Sequence, residues 1–214
     1  MSEVIMYYTQ NASYVFEQFI RHFLISIYGV LLASILAIPL GFFVARKRKL
    51  SRLTISIANV MQTIPSLAML AILMFLIGTG PNTVVFAVFL YAILPILKNT
   101  VSGINSVTPE LVDAARGMGM TKLQLMTKVE LPLAISIIMG GIRNALVLAI
   151  GVTAVGTFIG AGGLGDIITR GITVANGSPI IIAGAIPTAL MAVLADFLLG
   201  IIENKLTPRT FTKV

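Results

Sequence analysis

The sequence predicts an all-α fold, a polytopic membrane helix bundle of five transmembrane helices with one long cytoplasmic loop. Three observations carry that prediction. Of 214 residues, 57% are hydrophobic and only 11% charged, with a mean hydropathy of +0.99, whereas a soluble domain usually carries about 25% charge. Long stretches hold no charge at all, and about 20 apolar residues cross a hydrocarbon core. The Lys and Arg residues gather in alternate loops, as the positive-inside rule requires. A soluble chain of 22.8 kDa could not hide so much apolar surface, which excludes a cytosolic enzyme.

The elements follow in order. Residues 1–22 set Tyr7, Tyr8, Tyr14, Phe16 and Phe19 among polar side chains and read as an outer interfacial helix. Glu3 and Glu17 stand where a signal peptide needs a basic segment, so no removable leader is expected. Residues 23–45 form the first span. Residues 53–97 carry no charge, too long a run for one helix, and Gly78-Thr79-Gly80-Pro81-Asn82 is a turn signal that divides them into two spans. The third span continues past Pro95, with Lys98 reaching toward the headgroups. Residues 131–165, charged only at Arg143, supply the fourth span, and residues 180–202, interrupted by Pro187 and Asp196, supply the fifth. The five-span domain then covers 23–205, with a cytoplasmic tail at 206–214.

The basic residues set the orientation. Arg46, Lys47, Arg48, Lys49 and Arg52 follow span one; Lys98, Arg116, Lys122 and Lys128 follow span three; Lys205, Arg209 and Lys213 follow span five. Arg21 and Arg170 fall on the opposite side. The N-terminus is therefore expected outside and the C-terminus in the cytoplasm. The net charge of +7 is accounted for by this topology, and no nucleic-acid partner is expected.

The loop at 103–130 shows two helix starts. Thr108-Pro109-Glu110 combines an N-cap, a proline at the first helical position and an acid near the positive helix end, reinforced by Asp113. Gly117 and Gly119 close this helix. Thr121 and Gln124 form a capping-box pattern for a second helix bearing Leu123, Met126 and Val129. On these signals alone the loop could equally be an amphipathic segment packed under the bundle.

The spacing of particular residues adds a resemblance. Asp113-Ala114-Ala115, then Gly119 after three residues, then Val129-Glu130-Leu131-Pro132 after nine, resembles the EAA motif of bacterial ABC importer permeases, with Asp for Glu and Val for Ile. The resemblance implies a coupling-helix loop in which Glu110, Asp113, Ala114, Ala115, Gly117 and Gly119 contact a separate ATPase. Gln62-Thr63-Ile64-Pro65-Ser66-Leu67-Ala68, Leu94-Pro95-Ile96-Leu97-Lys98-Asn99-Thr100 and Gly160-Ala161-Gly162-Gly163-Leu164-Gly165-Asp166 are similar to permeases of osmoprotectant importers for glycine betaine, carnitine and choline. Methionine-type importer permeases are the nearest alternative. The resemblance further implies residence in the bacterial cytoplasmic membrane, a second permease subunit, two ATPase subunits and surrounding membrane lipid. With the chain ending at Val214, the substrate-binding domain fused to some relatives is expected here as a separate extracytoplasmic protein.

Other chemistries fare poorly. Gly160, Gly162 and Gly165 satisfy G-x-G-x-x-G, but a dinucleotide site needs a preceding strand, and this stretch follows a span. No G-x-x-x-x-G-K-[ST] occurs, so ATP and Mg are expected on the partner ATPase and no cofactor on this chain. Zero Cys and a lone His22 give no metal site. An aromatic cage for a quaternary ammonium is poorly supplied, with no Trp and four of five Tyr near the N-terminus. Candidates for the translocation path or gate are Pro65, Met69, Tyr91, Gly160, Gly162 and Gly163. Arg143 and Asp196 lie at matched depths in spans four and five and are expected to form a structural charge pair. A secondary transporter would need intramembrane carboxylates for ion coupling, and Asp196 alone qualifies. A membrane anchor without transport is the third class.

Overall fold

The computed structural model describes residues 2–207, and every element in that range is helical. Residues 208–214, with Arg209, Lys213 and most of the expected tail, lie outside it.

Helix α1 runs over Ser2–Ala45, 44 residues, or about 65 Å at 1.5 Å per residue. The boundary expected at residue 22 is absent. The chain leaves helical geometry instead at Asn11 (φ −123°, ψ 23°), whose amide Nδ2 donates to the Tyr7 carbonyl at 3.0 Å. No Gly or Pro interrupts residues 12–28, and the polar groups of Gln18, His22 and Ser26 are buried against other helices. A continuous helix therefore carries them into the bundle.

The second expected span is two helices, α2 (Arg48–Thr63) and α3 (Ser66–Ile77), meeting at 94°. Pro65 causes the break, since it lacks an N–H and forces the preceding Ile64 out of helical geometry (φ −68°, ψ 127°). The freed Ile64 carbonyl accepts the hydroxyl of Tyr91, and Gln62 Nε2 donates to the Tyr91 carbonyl at 2.9 Å. Inside a membrane such irregular backbone persists only where the protein resatisfies it. Among the described residues, four helical runs are long and apolar enough to cross a membrane, and the bent pair makes up to five.

Gly78 and Gly80 take φ of +98° and +107° in the turn the sequence marks. The Gly80 N–H donates to the Ile159 carbonyl at 2.8 Å, which ties this turn to the far end of the fourth span. Helix α4 (Pro81–Asn105) passes through Pro95 without stopping and forms the centre of the bundle, packed on α1 and on the fourth span. The approach is close because the crossings use small residues. At Gly141 a Cβ would stand 2.8 Å from the Pro95 carbonyl oxygen.

After α5 (Pro109–Gly117) and α6 (Lys122–Leu125), a π-helical turn at Met126–Glu130 leads into α7 (Leu131–Val155). The second loop helix is thus the opening of the fourth span rather than a separate element. Pro132 has no N–H to return to the Lys128 carbonyl, and the helix widens just before it. The capping box is formed in both directions, Thr121 N–H to Gln124 Oε1 at 2.8 Å and Gln124 N–H to Thr121 Oγ1 at 3.3 Å. Thr108 occupies its N-cap position, but its side chain makes no cap hydrogen bond.

The fourth span ends earlier than residue 165, in a 3₁₀ turn at Gly156–Ile159. A short amphipathic helix unassigned from sequence, α8 (Leu164–Thr173), follows and packs on α9 (Ser178–Leu206).

Candidate functional site

Two ends of the bundle carry distinct structures. At the basic end, α5 buries Val112 and Ala115 in a small core of their own with Val107 and Leu125. That packing leaves Glu110, Asp113, Ala114, Gly117 and Gly119 exposed. Ala115 is 2% exposed, so it belongs to the support of the segment and not to its outer face, in contrast to the sequence expectation. Gly119 has φ +78°, a left-handed turn that glycine adopts without strain. Asp113 and Arg116 form an open ion pair at 3.6 Å, of small energetic weight.

Sequence reasoning missed two exposed apolar side chains here, Leu111 and Met118, the latter 71% exposed. With Ala114, Val129 and Pro132 they line a cleft of about 330 Å³. Their phase is the available signal, because Leu111 and Met118 fall off the inward stripe of Val112 and Ala115. Glu130, 8% exposed, accepts a bond from Arg46 at 2.7 Å and joins the end of α1 to the base of the fourth span.

Arg143 and Asp196 are brought together. Arg143 Nε and Nη2 each donate to one Asp196 carboxylate oxygen at 2.8 Å, a two-pronged arrangement suited to the planar guanidinium. Arg143 Nη1 also donates to Glu203 at 2.9 Å, and Ser136 donates to the other Glu203 oxygen at 2.6 Å. Glu203 was not foreseen, although it stands seven residues after Asp196 and so on the same face of α9.

At the opposite end, Gly160, Gly162 and Gly163 have φ of +78°, +71° and +84°. The Gly163 N–H donates to Gln18 Oε1 at 2.8 Å and the Leu164 N–H to His22 Nδ1 at 3.2 Å. His22 Nε2 in turn donates to the Ile150 carbonyl at 2.9 Å. One nitrogen accepts while the other donates, which defines a neutral, structural imidazole. The glycine loop is therefore pinned to α1. Just after it, the Asp166 carboxylate takes the Tyr14 hydroxyl and Arg170 Nε at 2.7 Å.

Of the remaining path candidates, Pro65 is exposed at the helix break. Met69 and Tyr91, at 5% and 6% exposure, are buried in this chain's core, where Tyr91 holds the break together. They form no open wall of this chain.

The sequence profile of the binding-protein-dependent transport system inner membrane component family matches residues 37–208, from the last turns of α1 past the end of α9. The chain belongs to this family. It is a membrane-spanning component of a transport complex with partner subunits. It is 60% identical over 208 residues to the carnitine transport permease protein OpuCD of Listeria monocytogenes, covering 97% of this chain and 93% of that protein. It is 57% identical over 202 residues to the glycine betaine/carnitine/choline transport system permease protein OpuCD of Bacillus subtilis, covering 94% and 88%. Among solved structures, the permease fold matches inward facing conformations of the MetNI methionine ABC transporter with a TM-score of 0.81, covering 91% of this chain and 96% of that one. At 21% identity this likeness shows the fold, and the methionine reading is the more distant one.

Proposed function

We propose that the chain is the permease subunit of an ATP-driven importer for small quaternary ammonium osmoprotectants, of the class of glycine betaine, carnitine and choline. The observation that carries this reading is identity of 57–60% along nearly the whole chain to permeases named for those solutes. The exposed face of α5, built on its own small core, supports a docking role for the basic end.

In this reading two permeases enclose the path, and two ATPase subunits bind the α5 segments in the cytoplasm. A separate binding protein delivers solute at the glycine-loop end, so the N-terminus lies outside. ATP-driven closure of the ATPases moves α5, and the Arg46–Glu130 bridge passes that shift to α1 and the fourth span as a rigid displacement. The chain lacks Trp and its Tyr91 is committed to the helix break, so tight selection of the cation belongs to the binding protein.

Gly119→Leu tests the coupling role, since a side chain at φ +78° strains the turn by about 1–2 kcal/mol. The expected outcome is loss of solute-stimulated ATP hydrolysis in the reconstituted complex while the permease stays folded. Normal stimulation together with normal ATPase co-purification would assign the ATPase contact elsewhere.

A further inference from the structure

A cavity of about 740 Å³ opens at the basic end between α1, α6 and the base of the fourth span. Its wall is mostly apolar, with Ile38, Pro39, Phe42 and Phe43 on α1 and Met126 and Leu131 opposite. Its rim carries Arg46, Lys47, Arg116 and Lys122, four cations facing the single carboxylate of Glu130. Among the described residues, Arg46 is closely paired there, with Glu130 at 2.7 Å. Lys47 Nζ rests 4.1 Å over the Phe43 ring, and Arg116 makes an open pair with Asp113 at 3.6 Å.

The polarity is ordered along α1. Phe42 stands four residues before Arg46 and Ile38 eight, about 6 and 12 Å deeper along the axis at 1.5 Å per residue. Cations thus lie where headgroups lie, and the apolar wall extends from them into the hydrocarbon. A free anion would leave that wall uncovered, and a neutral lipid would leave the cations unanswered. We infer that this cavity is a binding site for an anionic phospholipid, its phosphate held by Lys47, Lys122 and Arg116 and an acyl chain laid along Phe42 and Ile38. Because the rim joins the end of α1 to α5 and α6, the bound lipid braces the segment that faces the ATPase.

The absence of Trp supplies the experiment. Phe42→Trp puts a single fluorophore in the cavity wall of the full chain, and phosphatidylglycerol with brominated acyl chains quenches it on binding. In phosphatidylcholine vesicles, quenching should saturate at a low fraction of brominated phosphatidylglycerol, with brominated phosphatidylcholine about tenfold weaker. Adding Lys47→Gln and Lys122→Gln should remove that preference, while Lys98→Gln, outside the cavity, should keep it. Equal quenching by both lipids, or a preference that survives loss of both lysines, would overturn the proposal. So would displacement by inorganic phosphate or a soluble acidic peptide, which would give the cavity to a free anion or a protein segment. Should Phe42→Trp fail to fold, native mass spectrometry of the unsubstituted chain decides, equal retention of the two lipids being the contrary result.

Discussion

Arg143 shows how a half-exposed charge between two apolar helices is held. Its guanidinium serves two carboxylates, Asp196 and Glu203, so the three positions are not equivalent. Arg143→Gln leaves two carboxylates facing each other without a cation, whereas Asp196→Asn leaves Arg143 still paired with Glu203. Thermal unfolding in detergent should show Arg143→Gln as the more damaging by several degrees. The double variant should lose less than the sum of the singles, because neighbours in one network do not act independently. Equal or strictly additive losses would contradict the network. Depth along the helices made Arg143 and Asp196 legible from sequence. Glu203 escaped because it sits at the end of the span, where a carboxylate reads as a boundary charge. His22 carried no signal of its role, since its ring bonds to backbone groups of Ile150 and Leu164, 128 and 142 residues further along the chain.

Among the elements, those with strong local punctuation were legible. Gly78 to Asn82 and the capping box at Thr121 appear where the sequence puts them. The break at Pro65 was not foreseen, since the sequence offered Pro65 only as a path candidate; the 94° bend is held by the Tyr91 hydroxyl on the freed Ile64 carbonyl and by Gln62 on the Tyr91 carbonyl. Helix α8 carries an amphipathic pattern, but the charge-free run that ends at Gly165 masks its start, and the close approach of Gly165 to Ala154 is a tertiary contact that no periodicity reports. A Cβ on Gly165 would lie 2.0 Å from the Ala154 carbonyl oxygen, while one on the exposed Gly151 meets nothing within 4 Å. Gly165→Ala should therefore destabilise by about 1–3 kcal/mol, and Gly151→Ala should be neutral or stabilising by up to about 1 kcal/mol. Melting temperatures of the two variants check the contrast, and similar values would mean that α8 can shift away from Ala154.

For the whole molecule, composition and alternating basic loops were enough for the membrane bundle, and the spacing around Asp113 was enough for the family. The wall of the path was not legible. Met69 and Tyr91 had the right chemistry, but the fold buries them in its own core, and a path enclosed by two subunits, as proposed, would be written in surfaces whose partner the sequence does not display. The most direct measurement is uptake of labelled glycine betaine by proteoliposomes holding the permease, its ATPase and the binding protein, with and without internal ATP and with ionophores added. The expected result is uptake that requires ATP and survives collapse of all ion gradients. Uptake that proceeds without ATP and vanishes with the ion gradient would contradict the account and make the chain a secondary transporter.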